Sequence, residues 1–143
     1  MVTALTMLLA NPDRMAATRN LRNQLEAGIL AAHPAAFVLG ASAPRVPTTV
    51  NVCLPDVDAE NLVDHMAANG IAISAGSACA HGARKPSHVA TALGLTYDQA
   101  QSCARISLSV ESTSEEVATF LSILRAELSD EPATLAVTAE GLR

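Results

Sequence analysis

The sequence predicts an α+β domain, a small mixed or antiparallel sheet covered on one face by helices. Three observations carry this. Segments with the two-residue period of strands alternate with segments that carry helix caps and an apolar repeat of three to four residues. The links before Cys79 are too short for a run of parallel crossovers. The chain has 143 residues, half of them hydrophobic, enough for one domain with its own core.

The opening segment, residues 1–12, is apolar but holds no Lys or Arg before Asn11-Pro12 cuts it short of a membrane span. It reads as neither signal peptide nor anchor and is expected to pack on the domain or on a partner. Asp13 can cap a helix in which Ala17, Leu21, Leu25 and Leu30 recur until His33-Pro34, about five turns. Phe37 to Leu39 and Thr49 to Leu54 read as strands, parted by a segment with Pro44 and Pro47. In the second strand Val50, Val52 and Leu54 share one face, and Thr49, Asn51 and Cys53 the other. Asp58 can cap a helix from Ala59 to Asn69 with the stripe Leu62, Val63 and Met66, and Gly70 offers the left-handed stop.

Ile71 to Ser74 is expected as a short strand that delivers the chain into a loop reaching Pro86. Ser87 then caps a short helix that Gly94 ends, and Thr96 with Gln99 matches a capping box for another. Arg105, Ser107 and Ser109 alternate with Ile106, Leu108 and Val110, the period of a strand. Thr113 and Glu116 form a second capping box, opening a helix with Val117, Leu121, Leu124 and Leu128 inward. Residues 129–143 contain Pro132 and no clear period, so they are expected to form a flexible tail, leaving 13–128 as the domain proper.

Composition narrows the partners. With no Trp, one Tyr, two Phe and a net charge of −5, the chain lacks both base-stacking platforms and the positive field that nucleic acid demands. Neither nucleic acid nor membrane is an expected partner. Three cysteines without CxxC spacing fit a reducing compartment, and a cytoplasmic location is expected.

Residues 74–82, Ser-Ala-Gly-Ser-Ala-Cys-Ala-His-Gly, are the most informative stretch. Small residues around Cys79 let the backbone bend and leave the sulfur within reach, which suits a thiolate nucleophile better than a packing cysteine. Without its flanks, Cys79 would read as a free cysteine at a strand end. Downstream come Pro86-Ser-His-Val-Ala-Thr-Ala-Leu-Gly94 and Ala104-Arg-Ile-Ser-Leu108, and upstream Arg45-Val-Pro-Thr-Thr-Val-Asn51-Val.

In that order, over roughly residues 13 to 128, these segments resemble the C-terminal small domain of the cysteine desulfurases, in the pyridoxal-phosphate-dependent class V aminotransferase family. The resemblance implies that Cys79 takes sulfur from L-cysteine as a persulfide and passes it to acceptors. It also implies that Arg105 binds the substrate carboxylate, a role a bidentate guanidinium suits. The Ser-Gly-Ser-Ala-Cys pattern is similar to the branch whose longer loop hands sulfur to a scaffold protein, as in iron–sulfur cluster assembly. His81 and Lys85 give the loop a basic character and are possible modulators, since a positive neighbour favours a thiolate.

The family holds its cofactor on a lysine of the large domain, in a His-Lys context after a strand. The single lysine here, Lys85, lies inside the cysteine loop and does not match. No Gly-rich phosphate loop precedes a helix. The chain is therefore expected to bind no pyridoxal phosphate alone and to need a large cofactor-binding domain or chain as partner, with a scaffold protein as acceptor; a homodimer is also allowed for. One departure stands inside the matched region: where the family commonly has Gly-Arg after the Arg-strand, Leu108 is followed by Ser109-Val110-Glu111. Competing readings are simpler: Arg105 as a solvated strand arginine, Cys53 and Cys103 as packing residues, and Arg84-Lys85 as a solvated loop tip. Cys79, His81 and His88 lack the paired spacing of structural zinc, so no metal is expected. The alternative function is a non-catalytic persulfide carrier or a desulfurase-binding regulatory module.

Overall fold

A computed structural model describes residues 12–75 and 87–130. Along them run α1 (Pro12–Ala32), β1 (Phe37–Val38), β2 (Thr49–Cys53), α2 (Ala59–Ala68), β3 (Ser74–Ala75), α3 (His88–Ala92), α4 (Tyr97–Gln101), β4 (Cys103–Ser107) and α5 (Ser114–Asp130). The strands form one sheet in the order β1-β2-β4-β3, and every pair is antiparallel.

Alternation along the strands sorts the sheet into two unlike faces. Val50 lies opposite Ile106 and Val52 opposite Ala104, so these four turn together toward the long helices. Leu25 and Ile29 from α1, Leu62 and Met66 from α2, and Val117, Phe120 and Leu124 from α5 complete that core. At Gly28 the two longest helices come close: a Cβ there would stand 2.7 Å from Leu121 Cδ2, so only hydrogen fits without displacing Leu121. His65 Nδ1 and Glu127 Oε2, 2.7 Å apart, join α2 to α5 at the rim.

On the opposite face Cys53, Cys103 and Leu39 form a second buried cluster, with Leu95 against it. The expectation that both cysteines serve packing holds. Both thiols donate to the Gln99 carbonyl of α4, at 3.3 and 3.1 Å. Burial first, and then the neighbouring Cys103, pushes the Cys53 thiol up to about 12 from an ordinary 9.0. The unfolded chain therefore releases this proton at lower pH than the folded one does. Stability owed to the neutral thiol is complete below the ordinary value and is lost as pH rises toward the folded one, at up to about 1.4 kcal/mol per pH unit. Urea midpoints taken across that alkaline window should fall, and should fall less steeply in Cys53→Ala.

Local signals read from sequence mostly stand. Thr96 and Gln99 bond reciprocally at the start of α4, as do Thr113 and Glu116 before α5. Asp58 accepts from the Glu60 and Asn61 amides, and Gly70 takes a φ of 77° just past α2. Ser87 occupies the N-cap of α3, but its side chain makes no cap bond.

Other expectations shift. Helix α1 starts at Pro12, where a proline costs no hydrogen bond, so Asp13 lies in the first turn and complements the helix dipole instead of capping it. The inward stripe of α1 is Thr18, Arg22, Leu25 and Ile29, whereas Ala17 and Leu30 are exposed. Steps of four, three and four stay on one face, while the five-residue step from Leu25 to Leu30 crosses to the other. Arg22 donates to the Val46 carbonyl at 2.9 Å, and Arg45 Nη2 to Glu26 Oε2 at 3.1 Å, which ties the proline-containing segment down before β2.

The strand expected over Ile71 to Ser74 is only Ser74–Ala75, because the Ile71 amide is taken by the Met66 carbonyl at 2.9 Å. Strand β4 ends at Ser107: Leu108 still donates to the Thr48 carbonyl, but the Ser109 amide turns to Ser112 Oγ at 3.0 Å. Helix α5 runs two residues past the expected end, to Asp130. The expectations for the apolar opening segment and for residues 131–143 lie outside the described residues.

Candidate functional site

The polar face of the sheet is built around β4. Arg105 sits at its centre, with Asn51 of β2 directly across on one side and Ser74 of β3 directly across on the other. Because Ala104 and Ile106 turn into the core, Arg105 turns away from the long helices, and Asn51 and Ser74 share its face. The Leu54 amide bonds the Ser102 carbonyl at 2.9 Å, which makes Asn51 and Arg105 a non-hydrogen-bonded pair with Cα atoms about 4.5 Å apart, the closer type of cross-strand neighbour.

Arg105 is exposed and, among the described residues, has no hydrogen bond or ion pair. Of the simpler readings, pairing with a surface carboxylate is not seen among the described residues, while a solvated strand arginine fits this exposure. Beside it, Asn51 Oδ1 is buried without a hydrogen-bond partner. The arrangement offers a rigid fork of N–H donors on an open face, flanked by an amide and a hydroxyl. Such a fork can take a carboxylate through two parallel hydrogen bonds.

The strand beside Arg105 is the one that precedes Cys79 in sequence. Ser74 pairs with Arg105 and Ala75 with Ala104, and Cys79 follows four residues later in sequence. Cys79, His81 and Lys85 themselves lie outside the described residues. His88 is exposed on the first turn of α3. No cluster of three or more potential metal ligands occurs among the described residues. No described helix is long and apolar enough to cross a membrane.

A groove of about 460 Å³ opens on the other side of β4, lined by Ile71, Ile106, Leu108, Val117 and Phe120 with Glu115 and Glu116 at its lining. Those two carboxylates give it the wrong sign for an anionic substrate, and Arg105 does not reach it. The carboxylate-binding candidate therefore stays on the polar face.

The sequence singles out Arg105 and places Asn51 on the less apolar face of its strand, but it does not bring the two together. Nor does it find Ser74 as the third member of the row. The only available signal was alternation within each strand; the register that aligns them depends on residues far apart in sequence.

A model of the aminotransferase class-V family matches residues 4–120. Over 97 residues the chain is 43% identical to the cysteine desulfurase NifS of Azotobacter vinelandii, a match covering 68% of this chain and 24% of that protein. It is 41% identical over 117 residues to a cysteine desulfurase of Rhodobacter capsulatus, covering 80% of this chain and 30% of the relative. Among solved structures, a NifS-like protein from Rickettsia africae superimposes with a TM-score of 0.71 at 25% identity, covering 85% of this chain and 31% of that one. The chain spans about a quarter of the length of the curated relatives it matches.

Proposed function

Because the chain belongs to the aminotransferase class-V family, we propose that it is the cysteine-bearing part of a cysteine desulfurase, taking sulfur from L-cysteine as a persulfide on Cys79. The observation that carries this reading is the guanidinium of Arg105, unpaired among the described residues, on the strand next to the one that leads toward Cys79. Cys79 follows Ser74, the cross-strand partner of Arg105, by five residues of sequence, a span of at most about 18 Å, which supports a role for both at one substrate. Arg105 would hold the substrate carboxylate and fix its orientation. Cys79, as thiolate, would attack the substrate sulfur.

Pyridoxal phosphate does not fit the residues present. No lysine occurs among the described residues, and the chain's single lysine, Lys85, lies in the cysteine loop. In this reading the cofactor belongs to a separate large domain or chain, consistent with a match to about a quarter of the relatives' length. The persulfide then passes to an acceptor such as a scaffold protein.

The test is to combine the chain with cofactor-bearing counterparts and follow alanine and sulfide release from L-cysteine. Arg105→Ala should lower kcat/KM by roughly 10- to 100-fold, mostly through KM, the size expected for losing charge-assisted hydrogen bonds to a carboxylate. Arg105→Lys should recover part of the charge but not the two-pronged geometry. An unchanged KM in both variants would remove Arg105 from substrate binding.

A second reading is favoured by one feature: Ser109-Val110 follows Leu108 where the family commonly carries Gly-Arg, with the exposed Glu111 next in the turn after β4. Here the chain is a persulfide carrier, or a module that binds an intact desulfurase. Incubation with a desulfurase and L-cysteine should then add one sulfur atom to Cys79 by mass spectrometry, with no alanine produced by any pairing of this chain with a cofactor domain. Tight binding with an unmodified thiol would point to the regulatory form.

A further inference from the structure

Two thiols that play no part in the proposed chemistry face each other across the sheet. Cys53 of β2 and Cys103 of β4 are directly opposite in register, and both are free and buried, 0% and 2% exposed. The bond from the Leu54 amide to the Ser102 carbonyl makes theirs a non-hydrogen-bonded pair, so their Cα atoms stand about 4.5 Å apart, inside the range that disulfides span. Both Sγ atoms also point the same way, since each donates to the one carbonyl of Gln99, at 3.3 and 3.1 Å. Convergence on a single acceptor leaves the sulfurs as neighbours.

Their cover is thin. The Gln99 carbonyl belongs to α4, a helix of five residues with Tyr97 half exposed, and so short a helix opens at little cost. A small uncharged oxidant can enter where a bulky one cannot.

We propose that Cys53 and Cys103 are a site of reversible covalent modification, an intrachain disulfide formed by hydrogen peroxide. One sulfur attacks a peroxide oxygen, the O–O bond breaks, and a sulfenic acid and one water result. The second sulfur then attacks the sulfenic sulfur, the S–S bond forms, the S–O bond breaks, and the hydroxyl leaves as a second water with the remaining thiol proton. Two thiols lose two electrons in total and one peroxide gains them. Thiol reductants reverse the reaction.

The link would close a ring from residue 53 to residue 103, and that stretch of sequence contains Cys79. It would also lie one side-chain row from Asn51 and Arg105 on the same face. The modification is independent of any chemistry at Cys79.

The experiment uses the full chain as wild type and as Cys79→Ser, each exposed to hydrogen peroxide, then denatured, alkylated and mapped by mass spectrometry. The expected result in both is a Cys53–Cys103 linked peptide lighter by two hydrogens, neither cysteine alkylated, and a melting temperature roughly 10 °C higher that returns on reduction. Three outcomes would overturn it: both cysteines alkylated after a treatment that fully oxidises a free thiol control, Cys53 or Cys103 carrying added oxygen without a link, or a link to Cys79 instead. The mapping needs no substitution in the buried pair, so a poorly folding core variant cannot mask the result.

Discussion

Replacing Cys79 with Ser is expected to lower alanine and sulfide release by at least about a thousandfold in the assembly that contains the cofactor domain, while KM for L-cysteine stays within a few-fold. The reason is chemical. A serine hydroxyl is nearly as large as a thiol but stays protonated at neutral pH, and its hard oxygen forms no persulfide equivalent. Arg105 is untouched in this variant, so the carboxylate is still held and binding persists without sulfur transfer. The split between kcat and KM separates a nucleophile from a residue that only shapes the loop, and mass spectrometry of Cys79 in the wild type supplies the positive control. If turnover survives the substitution, another sulfur-accepting group does the work, and the proposed role of Cys79 is lost.

Leu124→Ala is expected to have the largest effect on stability among single truncations in the described core, about 2–5 kcal/mol. Leu124 is fully buried at 0% exposure on the inner face of α5, in the cluster shared with Leu25, Leu62 and Met66. Truncation leaves a cavity in the cluster that α5 shares with α1, α2 and the sheet, and filling it would require several of these elements to shift together. Calorimetry should show a melting temperature lower by roughly 10–20 °C. Leu30→Ala is the internal contrast: the same atoms are deleted from a residue 40% exposed on α1, and the loss should stay near or below about 1 kcal/mol. Equal losses at the two positions would mean that α5 does not centre the core.

How far the sequence could be read depended on the range of each interaction. Both capping boxes, Thr96 with Gln99 and Thr113 with Glu116, are complete within four residues and stood as read. The inner faces of β2 and α5 were legible too, since Val50, Val52, Val117 and Leu124 follow the period of their own element. Helix α1 misled because Ala and Leu occur on several of its faces, and its true inner face includes Thr18 and Arg22. Arg22 and Arg45 could not be paired with Val46 and Glu26 from spacing, since each pair is some twenty residues apart.

At the site, the identity of Arg105 was legible from the motif that surrounds it. Its setting was not. Whether Asn51 or a neighbour two residues along faces it depends on the β2–β4 register, and that register is fixed by how both strands bury their apolar sides at once. The same long-range fact set Cys53 opposite Cys103, which no property of either strand alone reveals.

The sheet order carries one last consequence, for the order of events during synthesis. Strand β4 lies between β2 and β3, and so it is the piece that joins two strands made well before it. A nascent chain that has emerged only as far as α3 has no partner to hold β2 and β3 in one sheet, and Arg105 has not yet been made. The thiol of Cys79 thus leaves the ribosome ahead of the guanidinium with which the proposed function pairs it. Until β4 inserts and α5 closes over the inner face, a nascent domain has neither the Asn51–Arg105–Ser74 row nor its complete core, so any chemistry proposed for that row waits for the last strand and helix to be synthesised.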